Sequence, residues 1–195
     1  MKVYEAAIKR RSVRRFKAKP VPYGALEKCV EAARLAPSGR NLQVCEYIAI
    51  NDAAILPGIF ENIGGSVRLP PDKGGPRPGQ SPGAYIIVLI NKTFEGDADH
   101  RKVSYYDAGM AAENIMLVAL EQVLGSCPVL RFDESALKPI LNIPDNYDIA
   151  LVIVMGYPDE SPVAETGAIE SKVDDNGVRH VLKRKLADIL HKNKF

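Results

Sequence analysis

The chain has 195 residues, of which 46% are apolar and 26% are charged, and these proportions are typical of a globular protein. This length suits a single domain over residues 1–195. The net charge is only +2, so neither nucleic acid nor an anionic membrane is expected as a partner. No stretch approaches the roughly 20 apolar residues of a membrane span. The charged N-terminus lacks the apolar run of a signal peptide, so a cytoplasmic location is expected.

Apolar residues spaced three and four apart predict helices. In the second of these, Leu26, Cys29 and Ala33 share a face, and Pro37 ends the helix because the residue before a proline avoids the helical region. The helix over 104–124 is apolar around most of its circumference, which predicts burial in a core or an interface. The predicted helices cover residues 3–10, 23–36, 53–62, 104–124, 134–141 and 182–191.

Short and very apolar runs predict the strands. Ala84–Ile90 and Ile149–Met155 are continuously apolar, as expected for strands covered on both faces, and a third strand is predicted over 44–50. Between them, residues 64–83 are so rich in glycine and proline that no regular element is expected, which indicates a loop. Helices alternate with few strands, so the class is mixed α and β.

Residues that commonly act as nucleophiles or metal ligands are sparse. The three cysteines are too scattered for a disulfide framework or a zinc site, and Cys127 has no nearby histidine to activate it, so reduced thiols are expected. His100, His180 and His191 lack the spacing of metal ligands, so no metal is predicted. Walker, GxGxxG and GxSxG motifs are absent.

The remaining candidates for a functional site are basic and amide side chains that lie in separate stretches of the chain. Each group has an ordinary interpretation, as a solvated charge run, a turn or a basic helix turn, and spacing alone leaves open whether they form a joint anion site. The three groups are Arg10, Arg11, Ser12 and Arg14; Ser38, Asn41 and Gln43; and Lys183, Arg184 and Lys185.

Several stretches, taken in order, resemble the nitroreductase family. That resemblance implies an α+β fold with a mixed, mainly antiparallel central sheet flanked by helices, and a long buried central helix at the interface of a homodimer. The stretches are Ile8–Phe16 (IKRRSVRRF), Glu31–Gln43 (EAARLAPSGRNLQ), Asp107–Asp133, Leu141–Pro144, Ile149–Pro158 and Lys183–Leu186.

The resemblance also implies FMN as a cofactor. Guanidinium, ammonium and hydroxyl donors suit a phosphate dianion, and in the family pattern this role falls to Arg10, Ser12, Lys183 and Lys185. Arg11 would support the ribityl and pyrimidine side through its backbone.

Further roles follow from the same resemblance. Arg14 would lie at the pyrimidine edge, near N1 and O2, where a cation stabilises the negative charge of the reduced flavin. The flavin's edge would be lined by Ser38, Gly39 and Asn41. The wall behind the ring would be formed by Pro128, Val129, Leu130 and Arg131, with a backbone N–H of Leu130 or Arg131 donating to flavin N5.

The function implied is ping-pong reduction of a nitroaromatic, a quinone or a similar planar acceptor, with NADH or NADPH as the electron donor. Three alternatives stay open at this point. A flavin-consuming or dehalogenating enzyme could use the same scaffold. A non-catalytic protein could bind FMN without turnover. A basic nucleic-acid module using Arg10–Arg15 is disfavoured, because the run has no interleaved aromatic residues.

Overall fold

A computed structural model describes residues 1–94, 98–168 and 171–195. The helices are α1 (Val3–Lys9), α2 (Tyr23–Arg34), α3 (Leu56–Glu61), α4 (Ala98–Glu121) and α5 (Glu134–Leu141). The strands are β1 (Cys45–Ile50), β2 (Ala84–Asn91), β3 (Gly125–Val129), β4 (Tyr147–Gly156), β5 (Val163–Thr166), β6 (Ser171–Val173) and β7 (Arg179–Lys183).

Four strands form the central sheet in the order β1-β2-β4-β3, and every neighbouring pair is antiparallel. β2 is buried along its whole length, and β4 is buried from Ile149 onward, which confirms the prediction of strands covered on both faces. Successive side chains of a strand point to opposite faces. Ile86 and Val88 accordingly join one apolar cluster with α2 and α4, whereas Tyr85 and Ile87 join a second cluster with α3 and α5.

The long helix α4 packs on the first face of the sheet beside α2. Its buried side is lined by small residues such as Ala108, Ala111 and Ala119, which allow close approach. Its other side is exposed and still carries large apolar residues, among them Tyr106 and Met110. The helix is therefore apolar on both sides, as predicted, but only one side is covered within the chain.

The predicted helix over 182–191 is wrong. β7 runs from Arg179 to Lys183, pairs with β5 in parallel and with β6 in antiparallel, and is followed only by a 3-10 turn. The turn between β6 and β7 contains Asp174 and Gly177, where Gly177 has a φ of 76° and the Asp174 carboxylate accepts the N–H of Val178 at 2.8 Å. The DDNG turn signal was present in the sequence, but the prediction missed it.

β3 was not predicted from the sequence either, and Pro128 lies within it. Proline removes a backbone donor and is tolerated mainly at the edge of a sheet. β3 is an edge strand of the central sheet, so this position satisfies that restriction. The stretch 64–83 contains only short 3-10 turns, at Gly65–Val67 and Pro71–Lys73, as its composition indicated.

None of the described helices combines the length and the apolar character needed to cross a membrane. The three cysteines are free thiols, as expected.

Two glycines make room for the segment that follows α1. Gly125 of β3 and Gly156 of β4 are register partners. A Cβ added at Gly125 would lie 2.8 Å from the Cβ of Val13, and one added at Gly156 would lie 2.8 Å from Cδ1 of Phe16. Because neither glycine has a side chain, Val13 and Phe16 can pack directly against the backbone of β3 and β4.

We expect Gly125→Ala to lower the free energy of unfolding by about 1–3 kcal/mol, because the added methyl overpacks against Val13. Denaturant titration measures the change. Gly24→Ala is the matched control, since its nearest contact is an ordinary 3.7 Å, and it should be neutral or slightly stabilising. Equal stability of Gly125→Ala and the parent would contradict the close packing.

Candidate functional site

The backbone holds residues 10–16, the arginine run, in an extended path. The Arg10 N–H donates to the Ala6 carbonyl at the end of α1, and the chain then runs alongside β3, where the Val13 N–H donates to the Ser126 carbonyl at 2.9 Å. Val13 and Phe16 point into the core. Their burial fixes the direction of the polar side chains between them.

A groove of about 330 Å³ lies between the end of α1, helix α4 and the segment after β4. Its charged lining consists of Lys9, Arg10, Arg11 and Glu160, so cations predominate. Met116 and Leu120 belong to its apolar lining. The Arg10 Nε donates to Oε1 of Glu113 at 3.1 Å. Burial and the neighbouring Arg10 lower the pKa of Arg11.

Arg14 and Arg15 turn away from α1 and meet Glu160. The Glu160 carboxylate accepts the backbone N–H groups of both arginines, and its Oε2 accepts the Arg15 Nε at 3.1 Å. Its side chain is only 2% exposed. Arg15 also donates to the Gly177 carbonyl at 2.6 Å, and the Arg14 Nε donates to the Ser66 hydroxyl.

Arg179 is a member of this group that the sequence analysis missed. It is 6% exposed, and its Nη2 donates to the Gly74 carbonyl at 2.9 Å. Its Nε is buried without a hydrogen-bond partner among the described residues. Burial, and next the charge of Arg14, lower its pKa. We call these four residues, Arg14, Arg15, Arg179 and Glu160, the arginine cluster. It contains three guanidinium groups and one carboxylate.

Lys183 and Lys185, the predicted phosphate contacts, are exposed and do not line the groove. Lys183 ends β7, where it pairs with Thr166, and Lys185 lies beyond the strand. Within this chain the residue of β7 that lies against the arginine run is therefore Arg179. Only the register of β7 decides this, and no local sequence signal reveals it.

The loop bearing Ser38 is pinned to α4 by Asp107. The Ser38 hydroxyl donates to Oδ2 of Asp107 at 2.8 Å and accepts the Gln43 N–H at 2.9 Å, while the Gly39 N–H donates to both carboxylate oxygens. The loop contains three non-glycine residues in the left-handed region, at φ of 52°, 55° and 52°, which is uncommon for such residues. The Ser38 hydrogen is therefore already used, whereas the polar side chains of Arg40, Asn41 and Gln43 are exposed.

The Ser38 loop and the arginine run are held at different points of α4. Asp107 and Glu113 are six residues apart, which corresponds to roughly 9 Å along the helix axis. The pocket beside Ser38 is lined also by Cys45 and Tyr47 and shares no residue with the groove at Arg10. A single chain thus does not join these two parts of the predicted site.

The predicted wall lies at the end of β3. Val129 is buried in the core, whereas Leu130 is 77% exposed. The Arg131 carbonyl accepts the Gly64 N–H at 2.7 Å, and a Cβ at Gly64 would lie 3.1 Å from the Arg131 Cδ. Pro128 is exposed. The end of β3 is therefore tied to the loop that carries Ser66.

No metal-ligand cluster is present among the residues that the structure describes. His180 lies between Glu165 and Asp174, and His191 stacks against Phe195; the side chain of His100 lies outside the described residues. Burial raises the pKa of the Cys127 thiol, which disfavours the nucleophilic thiolate.

The described residues fit the group that the family resemblance implies. The groove offers guanidinium groups beside apolar surface, which suits a phosphorylated aromatic ligand. The arginine cluster has more positive than negative charge, and the Arg179 Nε lacks a hydrogen-bond partner within the described part of the chain. Buried cations are stable only when anions or acceptors compensate them, so this region favours a bound anion.

Comparison with known proteins decides the family. The model of the Nitroreductase family matches residues 7–157, which is most of the chain. The chain belongs to the Nitroreductase family. It is therefore an oxidoreductase enzyme, and the family resemblance and the fold class predicted from the sequence are confirmed.

Relatives support this assignment. A Thermus thermophilus protein named NADH dehydrogenase is 30% identical over 179 residues, covering 80% of this chain and 86% of the relative. An iodotyrosine deiodinase of Thermotoga neapolitana is 25% identical over 172 residues, covering 81% and 89%. The solved structure of an FMN-dependent nitroreductase of Clostridium difficile R20291 is 25% identical with a TM-score of 0.68, and the match covers 99% of this chain and 100% of that one.

The small sheet that carries Arg179 should be stabilised in a pH-dependent way by His180. Its Nδ1 lies 2.7 Å from Glu165 and its Nε2 lies 3.2 Å from Asp174, and these hydrogen bonds raise the pKa of the imidazole above 6.5. A raised folded-state pKa contributes stability that is full below the unfolded value and is lost as the pH rises through the folded value.

The expected result is that His180→Gln destabilises the protein most near pH 6 and least near pH 9. Urea midpoints of both proteins at these two pH values measure the difference. A stability loss of equal size at both would show that protonation of His180 plays no part.

Proposed function

We propose that this member of the Nitroreductase family is an FMN-dependent NAD(P)H oxidoreductase that reduces nitroaromatics, quinones or similar planar electron acceptors. The observation that carries the proposal is the excess of guanidinium groups in the arginine run and at Arg179, beside a groove with apolar lining. The FMN-dependent nitroreductase of Clostridium difficile, similar in fold and sequence, supports the choice of cofactor.

The phosphate would be held by Arg10 and Ser12. Arg10 is already oriented by Glu113, so its remaining donors are fixed in direction rather than free. Fixed guanidinium donors lose little conformational entropy when they bind a phosphate. Lys183 and Lys185 remain proposed phosphate contacts, and their exposure leaves both side chains available.

Arg14 would act on the ring system, together with the Arg11 backbone. Its guanidinium is held by the Ser66 hydroxyl and the Ser12 carbonyl, which fix a positive charge at one position. Such preorganised charge stabilises negative charge that develops during a reaction. Ser38, Gly39 and Asn41 would line one edge, and Pro128, Val129, Leu130 and Arg131 would form the wall.

When bound, FMN would supply the hydride-transfer chemistry that links NAD(P)H to an electron acceptor in a ping-pong sequence. The protein's own residues bind, orient and set the electrostatic field. No side-chain nucleophile is required, which accords with the buried thiol of Cys127.

We further propose that the enzyme is a homodimer with each site at the interface. Exposed apolar residues cover one side of α1, including Tyr4 and Ile8, and one side of α4, including Tyr106 and Met110. An exposed apolar surface of this kind favours association. A twofold axis would bring the Ser38 loop of one protomer to the arginine run of its partner and complete a site that one chain leaves divided.

A dehalogenating enzyme on the same scaffold is the second candidate, because the chain is also 25% identical to an iodotyrosine deiodinase. The two functions share the cofactor and differ in the acceptor. Analysis of products formed from a nitroaromatic and from a halogenated phenol separates them.

The proposed function predicts a yellow protein after reconstitution with FMN. Anaerobic NADH or NADPH should bleach the flavin absorbance, and a quinone should restore it, as followed by stopped-flow spectroscopy. A protein that binds FMN but is never bleached by either donor would be a storage or sensing protein instead.

Arg10→Glu tests the phosphate assignment within the same experiment. We expect FMN binding to fall at least about tenfold while the circular dichroism stays unchanged, because a carboxylate would face the phosphate. Lys2→Glu makes the same charge change at an exposed position before α1 and should retain FMN. Equal flavin content in both variants would overturn the assignment.

Met110→Glu tests the dimer. A charge in an apolar contact should convert the protein to a monomer at micromolar concentration and lower the bound flavin, as measured by analytical ultracentrifugation with absorbance detection. A wild-type protein that sediments as a flavin-loaded monomer would contradict the interface site.

A further inference from the structure

Arg179 is a buried positive charge that the proposed cofactor contacts do not use. It comes from β7, far along the chain from the arginine run, and it is 6% exposed. A hydrogen bond from its Nη2 to the Gly74 carbonyl, at 2.9 Å, orients it. A fixed charge held this way costs free energy unless negative charge lies nearby.

The absence of a side chain at Gly74 leaves room for this guanidinium. Its φ is 79°, and a Cβ at this position would lie 2.9 Å from the Arg179 Nη2 and 2.7 Å from Cγ2 of Val173. A side chain here would be strained and would collide with the arginine. The loop and the small sheet therefore meet in an arrangement that keeps Arg179 in place.

The compensation for this charge within the cluster is incomplete. Glu160 is the one carboxylate of the arginine cluster, and its hydrogen bonds go to Arg14 and Arg15 rather than to Arg179. The Arg179 Nε has no partner among the described residues. The cluster therefore presents a net positive potential, and in a poorly solvated region that potential reaches further than it would in water.

We propose that Arg179 is an electrostatic tuning residue, whose buried charge adds to that of Arg14 and favours reduced over oxidised FMN in the site. This inference rests on the proposed function. Arg179 is 6% exposed and does not line the groove at Arg10, so its effect on the ligand is exerted through the field at Arg14. Uptake of a hydride, which is two electrons and one proton, leaves one additional negative charge on the ring system, and that charge is stabilised by the cluster.

Arg179→Gln removes the charge and keeps an N–H donor for the Gly74 carbonyl. We expect it to weaken the binding of reduced FMN about tenfold relative to oxidised FMN, since a unit charge acting over roughly 10 Å at an effective dielectric constant of about 20 has an effect of this size. For a two-electron couple a tenfold change corresponds to about 30 mV, measurable as the midpoint potential of the bound flavin.

Two further variants keep the inference falsifiable if Arg179→Gln disturbs the small sheet. Arg179→Lys retains the charge and should keep the ratio of the two affinities within about threefold of the parent. Glu160→Gln leaves β7 untouched, retains an oxygen for the N–H groups of Arg14 and Arg15, and removes the negative charge. It should shift the ratio in the opposite direction, toward reduced FMN.

Lys172→Gln is the control, because Lys172 is an exposed cation on β6 of the same sheet and its charge is screened by solvent. It should leave the ratio unchanged. If Arg179→Gln binds FMN with an unchanged ratio, or loses affinity for both oxidation states equally, this inference is overturned while the proposed function stands. A parent protein that binds no FMN at all overturns both.

Discussion

The contact between the arginine run and the paired glycines of β3 and β4 is the constraint on which the candidate site depends. Val13 lies over Gly125 and Phe16 lies over Gly156, so two apolar side chains anchor a strongly basic segment to the core. Burial of each such side chain contributes roughly 2 kcal/mol, which offsets part of the cost of ordering the charged neighbours. Arg10, at the end of α1, can then approach the groove.

The electrostatics of the region follow from this backbone placement. Arg14 and Arg15 have adjacent N–H groups that point to the same carboxylate, and Glu160 satisfies them from the segment after β4. The fold thus places one carboxylate among several guanidinium groups. The remaining excess of positive charge is a property of the assembled fold, and it suits an enzyme whose cofactor becomes more negative during turnover.

Helix α4 forms hydrogen bonds with both parts of the candidate site, but the two parts stay separate within one chain. Glu113 orients Arg10, and Asp107 pins the loop of Ser38 and Gly39. The exposed apolar side of the same helix supports a second protomer as the element that would complete the site. One helix thus contributes to the core, to the orientation of both groups of polar residues and to the proposed interface.

Local pattern by itself determined the fully buried strands, the amphipathic helix α2 and the order of motifs that placed the chain in its family, because periodicity and turn residues act within a few positions. The DDNG turn before β7 was a local signal that the prediction of a final helix overlooked, but no local pattern could determine that Arg179, rather than Lys183, reaches the arginine run. Local pattern also could not show that the Ser38 hydroxyl donates its hydrogen to Asp107. Strand register, buried charge and hydrogen-bond partners arise from residues far apart in the chain, so only the tertiary structure decided them.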